Sequence, residues 1–291
     1  MFEGDIKVGL SGTKERIEDI LAGRKQIKVF GERNTGSRAV IRMIDASSGL
    51  RGAGHPGVSR EVLQPFRDRM ASFDEMDAGP WKRVYKEAAR DSFEELLGPV
   101  GAWKHTAPVF SGDFAHHDVS VLFLVRNPYS WALSLHRQPY HIMGPRRADL
   151  LSFFNEPWLT LGRDRVERIL ISPLDLWSLK LAAYRRFERN AEAAGVPFAT
   201  LRFEDFVADP AGALTASLQK LGDGVTGIEV LEAPTKPNGM DAKTRQNYYG
   251  RETWKADLTA QAVSFINARV DWELAQSYGY QRLDPDDFPS N

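Results

Sequence analysis

The hydrophobic positions along the chain predict short strands that alternate with helices. Lys25 to Phe30 and Phe198 to Phe203 have the composition of strands, and the run from Val119 to Val125 is almost wholly apolar. A short continuous apolar run is typical of a strand buried on both faces. Apolar residues recur at helical spacing from Pro173 to Ala194 and from Ala256 to Tyr278, which predicts two long helices. The pattern favours an α/β fold in which helices flank both faces of a parallel sheet.

The length of 291 residues fits a single domain. Residues 49–103 are rich in Gly, Pro and charge and are expected to form a helical insertion, and the acidic tail after Arg282 is expected to be loose. No run of about 18 apolar residues occurs, and the first residues do not resemble a signal peptide. We therefore expect no membrane span and a cytoplasmic location.

Charge and cysteine content exclude several classes of function. Lys and Arg number 38 and Asp and Glu number 39, so the net charge is −1. That balance argues against a nucleic-acid-binding protein but leaves room for a local basic site. Without any cysteine the chain has no disulfide, no thiolate metal site and no cysteine nucleophile. No spacing of His, Asp and Glu resembles a zinc site, and we expect no metal requirement.

The first candidate anion-binding element is the loop of residues 31–38, Gly-Glu-Arg-Asn-Thr-Gly-Ser-Arg, between the first strand and a helix. Unpaired N–H groups and the helix dipole favour an anion at such a junction. Gly36 allows close approach, and Thr35 and Ser37 add hydroxyl donors. The glycine spacing matches a Walker A loop, but Ser37-Arg38 stands where that motif needs Lys-Ser/Thr. This departure disfavours nucleotide triphosphate hydrolysis, and a simple strand-to-helix turn remains the alternative.

The second candidate element follows the buried strand. Arg126 stands at the carboxyl end of that strand, where parallel sheets bind ligands, and Ser134 lies two helical turns further on. Arginine suits a planar, bidentate grip on phosphate. Residues 126–147 contain four Arg, no Lys and no acidic residue. The segment is therefore either an anion site or a solvated basic helix face.

These motifs together resemble the sulfotransferase superfamily that uses 3′-phosphoadenosine 5′-phosphosulfate, in particular its bacterial carbohydrate-type members. The loop of residues 31–38 resembles the 5′-phosphosulfate loop of the family, and Arg126 with Ser134 resembles its 3′-phosphate motif. Residues 201–210 resemble the strand and turn that follow, and Trp254-Lys255 resembles the start of the C-terminal segment. The resemblance covers most of the chain and implies a three-layer, P-loop NTPase-like architecture.

The resemblance also implies which residues bind the donor. The residues implied at its 5′ end are Arg33, Asn34, Thr35, Gly36, Ser37 and Arg38. Those implied at its 3′-phosphate and adenine are Arg126, Ser134, Phe203, Lys243, Arg245 and Arg251. The last three come from Pro234–Lys255, which carries five cations and two acids. The family usually has a Lys where Asn34 stands, so Arg33, Arg38 or Lys104 must supply that charge.

Sulfuryl transfer to a hydroxyl needs a general base, and histidine suits this role near neutral pH. His105 resembles the catalytic histidine of the family in chain order and follows Lys104, in a segment expected to be a short strand. Glu32 is the rival base, since some carbohydrate sulfotransferases use a carboxylate. The remaining histidines are His55, His116, His117, His136 and His141.

The resemblance implies transfer of a sulfuryl group from the donor to an acceptor hydroxyl, on a small molecule, a carbohydrate or a glycolipid. The acceptor is not readable, although five aromatic residues have rings suited to stacking on a sugar: Trp81, Trp103, Trp158, Tyr140 and Tyr248. One alternative function is a P-loop nucleotide kinase or NTPase. The other is a non-catalytic nucleotide-binding protein with a degenerate site, which the absence of Lys at position 34 keeps open. The oligomeric state is also not readable.

Overall fold

The centre of the fold is a parallel sheet of four strands in the order β2-β1-β3-β6. The computed structural model describes residues 25–47, 49–53, 68, 79–96, 98–140, 147–222, 228, 230 and 240–290. Its strands, numbered in chain order, are β1 (Lys25–Gly31), β2 (Leu50–Ala53), β3 (Val119–Val125), β4 (Trp158–Leu159), β5 (Ile169–Leu170) and β6 (Phe198–Arg202). Strands β4 and β5 pair antiparallel apart from the main sheet.

Helices cover both faces of the sheet. They are α1 (Ser37–Ala46), α2 (Gly79–Leu96), α3 (Gly98–Gly101), α4 (Asp113–His116), α5 (Pro128–Arg137), α6 (Leu150–Phe154), α7 (Asp175–Ala193), α8 (Phe203–Ala208), α9 (Pro210–Lys220), α10 (Ala242–Arg245), α11 (Ala260–Arg269) and α12 (Trp272–Ser277). A single π-helical turn covers Gln246–Gly250. No helix in the described part of the chain is long and apolar enough to cross a bilayer.

Alternation along the strands divides the core into two clusters. On one face Val29 and Leu122 pack with helices α1 and α9, and on the other Phe30 and Phe123 pack with helices that include α5, α7 and α11. Every residue of β3 is buried. The predicted α/β fold, with a parallel sheet between two helical layers, is confirmed.

Some predicted elements are wrong at their ends or in their type. The range 49–103, predicted to be a helical insertion, begins with β2, which pairs with β1 in parallel. Gly52 explains why this strand has no apolar pattern, since a Cβ there would lie 3.1 Å from the Ile41 Cα. Pairing with β1, burial of Leu50 and the hydrogen bond from the Gly52 amide to Asp45 at 2.8 Å hold β2 against helix α1. Phe203, predicted to end a strand, begins helix α8.

The long C-terminal helix predicted for residues 256–278 is interrupted twice. Thr259 caps α11 and accepts a hydrogen bond from the Ala262 amide at 3.3 Å, and Asp271 caps α12 through the Leu274 amide at 3.0 Å. These side chains compete with the helix for backbone groups, which apolar spacing alone does not reveal.

The acidic tail, predicted to be loose, is tied to the fold over residues 283–290. The Leu283 amide donates to the Tyr129 hydroxyl at 2.8 Å, and the Leu283 carbonyl accepts from Asn267 at 2.9 Å. The Ala260 amide also donates to the Pro289 carbonyl at 3.0 Å.

Candidate active site

The carbonyl groups of the loop between β1 and α1 point towards surrounding side chains of the protein. Four consecutive carbonyls accept hydrogen bonds from side chains: Gly31 from His105 Nδ1, Glu32 from Thr35 Oγ1, Arg33 from Trp131 Nε1 at 3.0 Å, and Asn34 from Arg126 Nη1 at 2.6 Å. Within the described residues, the amides of Asn34, Gly36 and Ser37 have no acceptor. The loop therefore has the donor arrangement of an anion-binding cradle at a helix N-terminus.

Left-handed backbone shapes this loop. Asn34 has φ 66° and Gly36 has φ 81°. Asparagine tolerates this region better than most side chains, and glycine adopts it without strain. A Cβ on Gly36 would also lie 3.5 Å from the Phe203 ring. Asn34, which stands where the resembled family usually has a lysine, thus suits the backbone conformation at its position.

Arg126 joins the second motif to this loop. Its guanidinium, 2 % exposed, donates to the Asn34 carbonyl at 2.6 Å and to Ser134 Oγ at 2.8 Å. It also donates to the hydroxyl and the carbonyl of Ser130, at 3.0 and 2.8 Å. The Phe203 ring lies 4.3 Å from the guanidinium carbon. Arg126, Ser134 and Phe203, predicted to share a site, lie together.

Helix α5 positions these groups. Asn127 accepts hydrogen bonds from the Tyr129 amide at 3.0 Å and the Ser130 amide at 3.3 Å, which caps the helix, and Pro128 occupies its first turn. Because Ser130 and Ser134 are four residues apart, they fall on one helix face. Both hydroxyls consequently face Arg126.

Tyr249 and Arg137 also reach this cluster, and the sequence did not predict either. The Tyr249 ring lies 4.5 Å from the Arg126 guanidinium carbon, and its hydroxyl is 3.3 Å from Ser134 Oγ. Arg137 Nη2 is 3.5 Å from the same Oγ. Burial opposes ionisation of Tyr249, but the Arg126 charge and the hydrogen bond to Ser134 outweigh it and lower the pKa of Tyr249. The signal for Arg137 was the basic stretch that contains it, and Tyr249 lies within the second basic stretch.

Lys104 and His105 lie beside the other end of the loop, in a turn and not in the predicted strand. The Lys104 carbonyl accepts a hydrogen bond from the Gly31 amide at 2.9 Å. The turn is thus attached to the last residue of β1, although it is not a strand. Because the Gly31 carbonyl can only accept, His105 Nδ1 carries the proton and Nε2 keeps its lone pair. Burial, followed by the charges of Arg33 and Lys104, holds the pKa of His105 well below its usual range.

Glu32 and Arg33 turn inward into a buried ion network. Glu32, 1 % exposed, accepts from the Arg33 guanidinium at 2.8 Å and lies 3.7 Å from Lys180 Nζ. Arg33 Nη2 is 3.2 Å from Asp164, which accepts from Lys180 at 2.9 Å. Although burial opposes its ionisation, Arg33 and Lys180 lower the pKa of Asp164. Arg33, predicted to bind the 5′ end of the donor, and Glu32, predicted as the rival base, are thus paired within this buried network. Asp164 and Lys180 carried no sequence signal.

The remaining predicted donor residues lie at the helix start and in the C-terminal segment. Thr35 is buried and its hydroxyl closes the turn onto the Glu32 carbonyl, whereas Arg38 is exposed on α1. Lys243 and Arg251 are exposed, and Arg245 donates to the Met240 carbonyl at 2.9 Å. No contact joins these three cations to Arg126 within the described residues.

Of the other candidates, His136 contacts the Arg147 carbonyl at 3.1 Å, and His116 lies against His117. Trp103 is sandwiched between Arg33 and Arg163, with the guanidinium carbons 4.9 and 4.6 Å from its ring. Trp158 is buried, and Tyr140 bonds Gln138 at 3.0 Å. His55, His141 and the side chain of Trp81 lie outside the described residues.

No three His, Asp or Glu side chains gather as a metal-ligand set in the described ranges. The cluster of Arg126, Ser134, Phe203, Tyr249 and Arg137 is instead suited to an anionic, aromatic ligand.

The chain is similar in structure to two bacterial sulfotransferases. One, from Mycobacterium tuberculosis, shares 16% sequence identity over 89% of this chain and 80% of that protein, with a TM-score of 0.40. The other, from Alicyclobacillus acidocaldarius, shares 15% identity over 84% of this chain and 95% of that protein, with a TM-score of 0.37. No family model matches the sequence, and no curated protein matches it.

Proposed function

We propose that the protein is a sulfotransferase that moves a sulfuryl group from 3′-phosphoadenosine 5′-phosphosulfate to an acceptor hydroxyl. The observation that carries the proposal is the contact between its two anion motifs. Arg126 and the Asn34 carbonyl, 92 residues apart in the chain, form a hydrogen bond of 2.6 Å. A loop of unpaired amides and a buried arginine thus belong to one site, as a ligand with phosphates at both ends of a nucleoside requires.

The residues present fit such a donor. The amides of Asn34, Gly36 and Ser37 suit the 5′ phosphosulfate, with Lys104 as the nearby cation in place of a loop lysine. Arg126 and Ser134 suit the 3′-phosphate, and the Phe203 ring offers a face for adenine. In this assignment Arg33 has a structural role, because its guanidinium is committed to Glu32 and Asp164.

In the reaction an acceptor oxygen forms a bond to sulfur while the bond from sulfur to the 5′-phosphate oxygen breaks. His105 acts as the base, since Nδ1–H is held by the Gly31 carbonyl and Nε2 is left to take the proton of the acceptor hydroxyl. Its lowered pKa keeps it neutral at pH 7. Glu32 is less suited to this role because Arg33 and Lys180 surround its buried carboxylate. The acceptor class remains a hydroxyl compound such as a carbohydrate or glycolipid.

Adenosine 3′,5′-bisphosphate, the product of the donor, tests the proposal without an acceptor. A ligand that binds only the folded state stabilises it by about 2.7 kcal/mol at a hundredfold excess over Kd. For a chain of this size the melting temperature should rise by roughly 5–10 °C, as followed by thermal denaturation. Adenosine 5′-monophosphate and ATP with magnesium are the controls, and both should give much smaller shifts.

A larger shift with magnesium ATP than with the bisphosphate would favour a kinase or NTPase and overturn the proposal. Binding of the bisphosphate without any transfer from the donor to hydroxyl acceptors would indicate the non-catalytic nucleotide-binding protein.

A further inference from the structure

The cluster of Arg126, Ser134, Phe203, Tyr249 and Arg137 contains two arginines. Its geometry suggests a role for the second one, Arg137. The inference rests on the proposed function and concerns how the 3′-phosphate of the nucleotide is held.

Arg126 has little hydrogen-bonding capacity left for a ligand. A guanidinium has five N–H groups. Arg126 uses four of them on Ser130, Ser134 and the Asn34 carbonyl. At most one N–H is therefore left for a ligand within the described part of the chain. A phosphate monoester carries a charge of about −1.5 to −2 near pH 7 and has three acceptor oxygens, so this site needs a further donor group.

The donors of the cluster converge on Ser134 Oγ. Arg126 Nη2 lies 2.8 Å from this atom, the Tyr249 hydroxyl 3.3 Å and Arg137 Nη2 3.5 Å. Two guanidiniums and the Tyr249 hydroxyl thus surround the Ser134 hydroxyl. A phosphate oxygen placed beside Ser134 Oγ would have all four groups nearby.

Arg137 is held in this position from outside the cluster. Its Nη1 donates to the Tyr248 hydroxyl, which donates in turn to Asp257 Oδ2 at 2.5 Å. The Tyr248 ring lies 4.7 Å from the guanidinium carbon, and Asp257 lies 3.5 Å from Nη1. The side chain of Arg137 is 37 % exposed, so a ligand in solution can reach it.

The charge of the cluster agrees with an anionic ligand. Arg126 and Arg137 bring two positive charges to the cluster, and Asp257 lies 3.5 Å from Arg137 Nη1. Tyr248 remains a neutral donor at physiological pH, because burial and the hydrogen bond to Asp257 raise its pKa to about 12.

We propose that Arg137 is the second guanidinium of the 3′-phosphate subsite, that Tyr248 and Asp257 position it, and that Tyr249 closes the subsite over Arg126. The π-helical turn Gln246–Gly250 supplies both tyrosines, whose rings are 4.8 Å apart. The C-terminal segment would then serve the nucleotide through these two tyrosines, and Lys243, Arg245 and Arg251 would not touch the phosphate.

The test compares two nucleotides that differ only in the 3′-phosphate. Calorimetric titration with adenosine 3′,5′-bisphosphate and adenosine 5′-monophosphate is carried out on the wild type, Arg137→Ala and Arg147→Ala. Arg147 is a matched control, since it is half exposed and pairs with Glu156 away from the cluster. Arg137→Ala should weaken bisphosphate binding by about 10- to 100-fold, the range of one charge-assisted hydrogen bond. It should change monophosphate binding by less than about twofold.

Two conservative variants distinguish a role in phosphate binding from a purely structural role. A structural role would not change the ratio of bisphosphate to monophosphate affinity. Arg137→Lys keeps the charge but loses the fork, and Tyr248→Phe keeps the ring but loses the bridge to Asp257. Both should lower the ratio of bisphosphate to monophosphate affinity while the melting temperature of the free protein stays near that of the wild type.

Equal losses of bisphosphate affinity in Arg137→Ala and Arg147→Ala would overturn the inference, since the losses would then reflect the general electrostatic field of the protein and not a specific contact. An unchanged affinity ratio in Arg137→Ala and Arg137→Lys would also overturn it while leaving the proposed function intact. A wild type that does not distinguish the two nucleotides would instead refute the 3′-phosphate subsite and the proposed donor with it.

Discussion

At the scale of single residues, function in this site depends on which hydrogen-bonding groups are already committed. Glu32 and His105 both lie at the end of β1, and both are candidates for the base. Glu32 Oε1 accepts from Arg33 and its Oε2 lies 3.7 Å from the Lys180 cation, whereas His105 has one ring nitrogen bonded to a neutral carbonyl. A sequence contains both residue types but not their partners, so it left the two alternatives open.

His105 should therefore control both the rate and its dependence on pH. His105→Ala is expected to lower turnover by about 100-fold or more, the usual contribution of a general base, with nearly unchanged affinity for adenosine 3′,5′-bisphosphate. The measurement is release of this product from the donor. His136→Ala is the control, because His136 contacts the Arg147 carbonyl and, within the described residues, makes no hydrogen bond to the loop.

The pH profile gives the second readout of the same prediction. The base must be unprotonated, so kcat/KM should fall as the pH drops through the pKa of His105. Burial and the charges of Arg33 and Lys104 lower that pKa. The acid limb should consequently lie below the usual histidine value of 6.5. If His105→Ala keeps a third of wild-type turnover and Glu32→Gln does not, the base is Glu32.

At the scale of secondary structure elements, the sequence was most informative where one physical signal dominates. The continuous apolar run of β3 predicted a strand that is buried along its whole length. Strand β2 has no such run: Leu50 packs in the core, whereas Gly52 lies against the backbone of α1. The breaks at Thr259 and Asp271 come from capping side chains within an otherwise helical pattern. Local patterns thus predicted the central elements better than those that depend on close approach or capping.

The same limit applied to the site. Arg126 and Ser134 were predicted because a buried strand and a helix start set their spacing. Tyr249 and Lys180 were not predicted, since their roles depend on contacts between residues that are apart in the sequence. Tyr249 contacts Ser134, 115 residues away, and Lys180 contacts Asp164, 16 residues away. Lys180 also falls within a helix whose pattern is explained by burial alone.

Lys180 should be essential to the junction between α7 and the segments that carry His105 and Asp164. This cation, 0 % exposed, donates to the His105 carbonyl and to Asp164 at 2.9 Å. Lys180→Met would leave Asp164 and Glu32 with a single cation, Arg33, between them. We expect a loss of about 3–5 kcal/mol in the free energy of unfolding, the cost of breaking a buried ion pair.

Chemical denaturation of Lys180→Met and of Lys220→Met measures this effect. Lys220 is exposed at the end of α9, so its substitution should change stability by less than about 0.5 kcal/mol. Similar stability of the two variants would mean that the network contributes no more than surface charges do.

At the scale of the whole molecule, residues 283–290 connect the C-terminal helices to helix α5, beside the candidate site. Leu283 bonds Tyr129, which follows the Arg126 motif in α5, and Asn267 in α11. Tyr129 also stacks near Trp254, at a centroid distance of 6.4 Å. The segment predicted to be loose thus braces the helix that carries Ser134.

Removal of residues 283–291 should therefore weaken both the fold and nucleotide binding. It deletes three hydrogen bonds and the packing of Leu283 and Phe288 against the core. We expect a loss of about 2–4 kcal/mol from these contacts. At roughly 2–4 °C per kcal/mol for a chain of this size, the melting temperature should drop by about 4–16 °C. The matched control is Asp286→Asn with Asp287→Asn, which removes charge from the exposed turn while its backbone remains. Thermal denaturation with and without adenosine 3′,5′-bisphosphate separates the two effects, because loss of the contacts that hold α5 should reduce the shift that the ligand produces. If the truncated protein melts like the double variant and retains the full ligand shift, the tail has no role in holding α5.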